Sequence, residues 1–305
     1  MNFLQELVDE EVTDVNKQDM HGYTALHYAV LYNHLPALRK ILTTTGVNVN
    51  IKDRQSHTPL HYACEKGLFE CVQLLVAHED LDVNIRDGAS KSALHKASKR
   101  GYIECIEALL GHQGLDVNGT DDNGKTALHE AAWSGEAECI KVLLANKDTN
   151  VNMRSKTGYT ALHSAAYNGS AECVEALLEN KDIDVNVQDR DGDTPLMNAA
   201  LRGNSACVKA LLGHKDKNGN MNNKDKNTAL HVAVREGHTE CVRLLLSMPD
   251  IHVNAQDSQH KTPLHLAVQE GRIECVKLLL NTPGISVNPR NKNGKTPLKV
   301  AQDSN

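Results

Sequence analysis

The residues of this 305-residue chain that could perform chemistry are chiefly its 16 histidines and eight cysteines. Imidazoles and thiolates are the usual ligands of zinc, and a cysteine beside a histidine can act as a nucleophile. No Cys-x-x-Cys pair occurs, although many zinc sites contain one. Seven histidines instead recur at multiples of 34 residues: His27, His61, His95, His129, His163, His231 and His265. Such recurrence indicates a structural role, so we predict neither a metal site nor a catalytic residue.

The cysteines follow the same period. Seven of the eight are Cys71, Cys105, Cys139, Cys173, Cys207, Cys241 and Cys275. Equivalent positions on stacked helices lie roughly 8–10 Å apart, whereas a disulfide requires Cα atoms within about 7 Å. We therefore predict buried thiols that do not bridge one another. Cys64 lies outside the series, and we expect it to be more accessible.

The composition disfavours several classes of function. A formal net charge of −6 disfavours binding to nucleic acid, which needs a basic surface. No apolar run approaches the ~20 residues that span a bilayer, so no membrane insertion is predicted. The first fifteen residues carry acidic and no basic side chains, unlike a signal peptide, which favours the cytoplasm. The glycines recur at helix ends and turns rather than in a phosphate-binding loop, so no cofactor is predicted.

A 34-residue repeat accounts for these periodicities. The strings TALH, TPLH, SALH and their variants begin at Thr24, Thr58, Ser92, Thr126, Thr160, Thr194, Thr228, Thr262 and Thr296. The pair Val-Asn recurs with the same step from Val15 to Val287, interrupted by Gly219. Repeats of this length form supersecondary units that must stack to bury their apolar faces.

The fourth period shows how one unit is expected to fold. Thr126 can cap a helix with its hydroxyl, Leu128 gives that helix an apolar side, and Gly135 ends it after about two turns. The run from Glu138 to Ala145 predicts a second helix with a broad apolar face. A polar stretch with a turn glycine then leads to the next threonine.

The pattern D-x-x-G-x-T-A/P-L-H-x-A, followed by G-x-x-E-C-V/I-x-x-L-L, resembles the ankyrin repeat and covers nearly the whole chain. The resemblance implies a mainly α fold, an ankyrin-repeat solenoid of helix-turn-helix units joined by β-hairpin-like turns. It also implies that the recurring histidine hydrogen-bonds the capping threonine and nearby backbone. Met197 and Lys299 depart from this pattern. The turn glycine is replaced by Ser56, Ser90, Lys226 and His260. We expect those turns to be less regular, because side chains disfavour positive φ angles.

A single domain is predicted over residues 1–305. Residues 1–18 align with a second helix alone and are expected to form an amino-terminal half-repeat cap. Eight full repeats follow over residues 19–290, and residues 291–305 are expected to form a partial carboxyl-terminal cap. A stack of repeats needs such caps at its ends.

Positions that vary between repeats are the candidates for recognition, because the shared positions are assigned to folding. The resemblance to ankyrin repeats points to the turn tips and to first-helix positions four, seven and eight residues after the threonine. Tyrosine and tryptophan favour interface centres, although each ring could instead cover a neighbouring repeat. The candidate partner-binding residues are Tyr23, Tyr28, Tyr32, Tyr62, Lys96, Lys99, Arg100, Trp133, Tyr159, Tyr167, Leu201 and Arg202.

Two groupings refine this prediction. Lys96, Lys99 and Arg100 form a basic patch, which is either a solvated face or a site for an acidic segment of a partner. Trp133 and Tyr167 hold equivalent places in adjacent repeats, which predicts neighbouring rings about 10 Å apart.

The predicted function is that of a monomeric, non-enzymatic scaffold or adaptor that binds a protein or peptide on its concave groove and hairpin tips. Two alternatives stay open from the sequence: the recognition arm of a longer enzyme, effector or channel, and an engineered repeat scaffold. Asn84, Asn118 and Asn186 also resemble sites of asparaginyl hydroxylation in some ankyrin domains, although asparagine equally serves to hold such turns.

Overall fold

The computed structural model of the chain describes residues 14–303. The chain divides into two compact units, Met1–Lys156 and Thr157–Asn305, and each contains a stack of helix pairs. No strand occurs between residues 14 and 303, which confirms the predicted mainly α class. The greater part of the predicted amino-terminal cap, residues 1–13, lies outside the described residues. The boundaries of the caps and of the single domain stay predictions.

The first unit contains four pairs of a first and a second helix within residues 14–156. They are α1 Ala25–Leu31, α2 Leu35–Leu42, α3 Pro59–Lys66, α4 Phe69–Val76, α5 Ala93–Arg100, α6 Ile103–Leu110, α7 Ala127–Ser134 and α8 Ala137–Ala145. First helices pack on first helices of the next repeat, in the order α1, α3, α5 and α7. Second helices pack on second helices in the same way.

The second unit repeats this arrangement and ends on a first helix. Its helices are α9 Ala161–Asn168, α10 Ala171–Leu178, α11 Pro195–Arg202, α12 Ser205–Gly213, α13 Ala229–Glu236, α14 Thr239–Leu246, α15 Pro263–Gln269, α16 Ile273–Leu280 and α17 Pro297–Asp303. The first helices α9, α11, α13, α15 and α17 pack in series, as do the second helices α10, α12, α14 and α16. Each unit is therefore two layers of short helices.

The recurring histidine caps the first helices that contain it, in the way that the family resemblance implies. At α3, the backbone N–H of Thr58 donates to Nδ1 of His61 at 3.1 Å, and the threonine Oγ1 lies 2.8 Å from the same nitrogen. The backbone N–H is a donor, so Nδ1 is an acceptor. The proton of the neutral ring therefore lies on Nε2. The predicted contact between histidine and threonine is confirmed.

The other ring nitrogen of this histidine joins one repeat to the next. Nε2 of His61 donates to the carbonyl oxygen of Lys91, 3.0 Å away in the following turn. The ring is 1% exposed, so both hydrogen bonds are shielded from water. One side chain thus caps a helix and fixes the position of the neighbouring repeat.

The core is made of leucine, valine, alanine and cysteine, and it contains all eight cysteines as buried thiols. This confirms the predicted burial of the seven periodic cysteines. Burial raises the pKa of several of them, among them Cys71 and Cys207, to about 11, so they stay protonated. The expected accessibility of Cys64 is wrong, because Cys64 is 0% exposed. It stands six residues after Thr58, a place that is equally buried in other repeats, as at Val30.

Several turns between repeats are built around a buried carboxylate, as at Asp53. Oδ1 of Asp53 accepts from the backbone N–H groups of Gln55 and His57 at 2.9 and 2.8 Å. The N–H of Ser56 donates to the carbonyl of Asp53 at 2.9 Å with a φ of 64°. Gly22 makes the same bond at 3.0 Å in the first repeat. Turns without glycine therefore keep this geometry, and the expectation that they are less regular is wrong.

The asparagine of the Val-Asn pair bridges the loops of successive repeats. Nδ2 of Asn84 donates to the carbonyl of Gly114 at 2.7 Å, and its Oδ1 accepts from the N–H of Asp116 at 2.8 Å. Both ends of the amide are engaged, which accounts for asparagine at this place. Hydroxylation at such sites stays a prediction.

Met197 provides a test of the histidine because it occupies the same place in the sixth repeat at 2% exposure. We expect Met197→His to raise the free energy of unfolding by about 1 kcal/mol, by adding a buried hydrogen bond to the next turn. The converse change, His163→Met, should lower the free energy of unfolding by ~1–3 kcal/mol, because buried polar groups lose their hydrogen-bond partner. Urea unfolding measures both. If both substitutions changed the free energy of unfolding only slightly and by the same amount, the histidine would not have this stabilising role.

The buried histidines also make stability depend on pH. Burial is the main cause that lowers the pKa of His61 to about 4, against the bond to Lys91, which acts to raise it. Unfolded histidine has a pKa near 6.5. Between these values the unfolded state binds more protons, so stability is full above pH 6.5 and falls as the pH drops towards 4.

Between pH 6.5 and 4, we expect the free energy of unfolding to fall by about 3 kcal/mol more in the wild-type chain than in His61→Met, because the variant lacks this titrating group. Urea unfolding of both proteins across that range gives the comparison. Acidic side chains titrate equally in the two proteins, so parallel pH profiles would show that His61 does not contribute.

Candidate functional site

Four candidate tyrosines lie together in the first unit. We call Tyr23, Tyr28, Tyr32 and Tyr62 the tyrosine cluster. The ring centroids of Tyr23 lie 5.5 Å from Tyr28 and 6.0 Å from Tyr62, both edge to face. Tyr28 and Tyr32 are nearly parallel, with centroids 6.2 Å apart and an angle of 10°. Tyr32 is 70% exposed, so the cluster opens to solvent at that ring.

Carboxylates hold the hydroxyl groups of this cluster. The hydroxyl of Tyr28 donates to Oδ2 of Asp19, and that of Tyr62 donates to Oδ2 of Asp53, each at 2.6 Å. The bond to Asp19 raises the pKa of Tyr28 to about 12. Burial and the bond to Asp53 raise the pKa of Tyr62 as well. Both phenols therefore stay protonated and are held in a fixed direction.

The predicted basic patch is smaller than the sequence indicates. Nζ of Lys96 lies 2.9 Å from Oδ2 of Asp87, whose side chain is 4% exposed. Although burial acts to raise the pKa of Asp87, hydrogen bonds from Lys96 and from backbone amides lower it to about 2. The charge of Lys96 is thus compensated within the chain. Lys99 and Arg100 are exposed on α5.

Lys96 belongs to a set of contacts that sequence reasoning missed. The residue just before the capping threonine of one repeat contacts the fourth residue after the capping position of the following repeat. The two partners therefore stand 39 residues apart. We call them turn-to-helix pairs. The pairs are Tyr23 with Tyr62 at 3.2 Å, His57 with Lys96 at 3.2 Å, Lys91 with Glu130 at 2.8 Å, and Tyr159 with Asn198 at 3.0 Å. The sequence signal that could have revealed these contacts is the presence of complementary side chains 39 residues apart.

Two further aromatic candidates, Trp133 and Tyr167, each contact a cationic side chain of the same chain. In the first unit, Nζ of Lys125 lies 5.2 Å from the ring centroid of Trp133, which is 42% exposed. In the second unit, the guanidinium of Arg202 lies 4.9 Å from the ring of Tyr167. The structure thus brings these last two candidates together. The predicted pairing of Trp133 with Tyr167 joins residues of different units and stays a prediction.

Two further candidates of the second unit are packed against their neighbours. Tyr159 donates to Oδ1 of Asn198 and stacks on His163 with ring centroids 5.3 Å apart. Leu201 is half-buried on α11. Both therefore offer less surface than Tyr32 or Trp133.

The arrangement offers little for metal chemistry within residues 14–303, where no group of three or more suitable side chains comes together. His57 and His61 stand four residues apart, a spacing found in metal sites, with ring centroids 5.7 Å apart. Both nitrogens of His61, however, are engaged by Thr58 and Lys91. The described part of the chain also lacks a helix long and apolar enough to cross a membrane.

Comparison with known proteins identifies the family. A family model described as ankyrin repeats (3 copies) matches residues 1–87, 79–155, 162–257 and 250–305, and another described as ankyrin repeats (many copies) matches residues 135–178. The chain belongs to the ankyrin-repeat family. The crystal structure of the human ASB11 ankyrin repeat domain is 32% identical with a TM-score of 0.59, covering 69% of this chain and 92% of that one. No curated protein matched the chain.

Membership in the ankyrin-repeat family sets a general expectation for the site. Ankyrin repeats generally serve as protein–protein interaction modules, and their fold is typically non-catalytic. The first helices and turns of this ankyrin protein place aromatic and charged side chains at the surface, which is chemistry suited to noncovalent recognition.

The turn-to-helix pair of Lys91 and Glu130 can be tested by substitution. Its side chains are 22% and 7% exposed, and Nζ of Lys91 also lies 3.8 Å from the buried Oδ2 of Asp121. We expect Lys91→Met to lower the free energy of unfolding by ~2–4 kcal/mol, because it leaves two buried carboxylates unpaired. Glu130→Gln should cost about 1 kcal/mol, since glutamine still accepts a hydrogen bond.

The exposed ion pair of Lys141 with Glu138 provides the matched control. Lys141→Met should change the free energy of unfolding by less than about 1 kcal/mol, because solvent screens exposed pairs. Urea titration of the three variants decides the matter. A loss for Lys91→Met as small as that for Lys141→Met would mean that the buried pair does not hold the repeats together.

Proposed function

We propose that the chain is a non-enzymatic interaction scaffold or adaptor that binds a protein or peptide through the first helices and adjoining turns of its repeats. The observation that carries this proposal is the exposure of large aromatic rings at positions that differ between repeats. Tyr32 is 70% exposed and Trp133 is 42% exposed. Rings of this kind favour interface centres because they combine large area with few rotatable bonds.

The separation between shared structural positions and variable surface positions within a repeat supports the proposal. Shared positions are engaged by the stack, as at His61 and Asn84, which hydrogen-bond the next repeat. The seventh residue after the threonine, by contrast, is Lys99 in the third repeat, Trp133 in the fourth and Tyr167 in the fifth. The residue type can therefore vary at such places while the bonds made by His61 and Asn84 recur.

Finer features of the proposal concern the partner and the compartment. An acidic partner segment would be met by Lys99 and Arg100, since the charge of Lys96 is compensated within the chain. The eight buried thiols suit a reducing cytoplasm, where disulfides are rare. We propose that the chain acts as a monomer, with its exposed rings directed to a different protein.

The proposal predicts that affinity and stability can be separated. We expect Trp133→Ala combined with Tyr167→Ala to weaken binding of the partner by at least ~2 kcal/mol, because truncation removes aromatic anchors. The melting temperature should change little, since Trp133 is 42% exposed. The measurement is titration of a partner recovered by affinity capture with the intact chain, alongside thermal unfolding.

Leu143→Ala provides the opposite control. Leu143 is 0% exposed, so its truncation should lower the free energy of unfolding by ~2–5 kcal/mol. Below its melting temperature this variant should keep wild-type affinity. Wild-type affinity in the double aromatic variant, together with a large loss of stability, would show that the rings are packing residues and would refute the assignment of this face.

A further inference from the structure

The tyrosine cluster combines aromatic rings with negative charge. Tyr28 is bound to the carboxylate of Asp19, and Tyr62 is bound to that of Asp53. Asp19 is exposed to solvent, whereas Asp53 is 7% exposed. The faces of aromatic rings carry partial negative charge and attract cations. Rings and carboxylate therefore present electrostatic potential of the same sign at one place.

The cluster offers ring faces rather than hydroxyl groups to a ligand. The hydroxyls of Tyr28 and Tyr62 donate to carboxylates, and the Tyr23 hydroxyl lies 3.2 Å from that of Tyr62. Tyr32 adds a ring that is 70% exposed and nearly parallel to Tyr28. A flat or apolar cation suits such a surface, because it can contact rings and approach a carboxylate at once.

The same chain shows that first-helix rings accept cations. The guanidinium of Arg202 lies 4.9 Å from the ring of Tyr167, and Nζ of Lys125 lies 5.2 Å from Trp133. One repeat beyond Tyr32 stands Lys66, but its Nζ is 3.4 Å from the carbonyl of Leu31. Lys66 therefore contacts the backbone beside Tyr32.

We propose that the tyrosine cluster recognises an arginine side chain in a basic segment of the partner. The cation contacts the rings of Tyr28 and Tyr32, and the exposed carboxylate of Asp19 offsets its charge. This inference rests on the proposed function, because it names the chemistry of a partner for the same face. It differs from the prediction of an acidic segment, which concerned Lys99 and Arg100.

The test uses the full chain and three fluorescent nine-residue peptides in which glycine alternates with arginine, citrulline or glutamate. Citrulline keeps the shape of arginine but lacks its charge. Anisotropy titrations are run at 150 mM salt, where weak long-range attraction is screened. We expect the arginine peptide to bind about two- to fivefold more tightly than the citrulline peptide, as cation–π contacts at an exposed site imply.

Substitutions locate the binding to the cluster. Tyr32→Leu keeps an apolar side chain but lacks the aromatic face, so the arginine peptide should bind about two- to fivefold more weakly. Tyr32→Phe keeps the ring and should retain affinity. Asp19→Asn should weaken binding as well. Tyr102→Leu alters a tyrosine of the same unit that is not a member of the cluster and whose ring lies against Gly67, and it should leave affinity unchanged.

Several outcomes would overturn the inference. Equal binding of the arginine and citrulline peptides, tighter binding of the glutamate peptide, or no binding of any peptide would each exclude recognition of a cation. Arginine binding that Tyr32→Leu leaves unchanged would place it elsewhere. Thermal unfolding of each variant confirms that it is folded. These results leave the proposed function standing, because that proposal is tested with the captured partner and the Trp133 and Tyr167 variants.

Discussion

Two-turn helices impose the constraint on which the rest of this structure depends. Isolated helices shorter than ~12–15 residues are marginal in water, whereas α1 has seven residues and α8 has nine. Their stability must come from neighbouring repeats, through buried leucine and cysteine and through His61 and Asn84, which hydrogen-bond the next repeat. Recurring residues are therefore engaged in stacking, which leaves the residues that do not recur as the candidates for recognition.

The turn-to-helix pairs reduce the surface that a partner can use. Lys96 and Glu130 stand at variable positions, yet both make charged contacts with neighbouring turns. What stays accessible is a sparser set, with Tyr32 and the neighbouring acidic group at one place and Lys99 with Arg100 at another. In the first unit, the face that we propose for binding thus carries patches of different charge.

Much of the fold was predictable because it depends on local and periodic signals. The 34-residue step and the threonine cap predicted the helix pairs, and the cysteine period predicted the buried thiols. The resemblance to ankyrin repeats implied the role of His61. Cys64, Ser56 and Lys96 were misjudged because their environment depends on contacts across repeats. The cysteine is covered by packing, the serine is held in its turn by backbone bonds, and the lysine meets the buried carboxylate of Asp87. The identity of the binding residues stays a prediction.

The pairs that stand 39 residues apart make the order of the repeats part of the fold. In the first unit, the second repeat contributes Tyr62 to a contact with the repeat before it and His57 to a contact with the repeat after it. The third repeat likewise contributes Lys96 and Lys91. Loss of the 34 residues of the third repeat would preserve the helical period but set His57 against Glu130 in place of Lys96. Duplication or shuffling of whole repeats would create comparable mismatches. Rearrangement of the repeats that make these pairs is therefore constrained by the compatibility of neighbouring side chains.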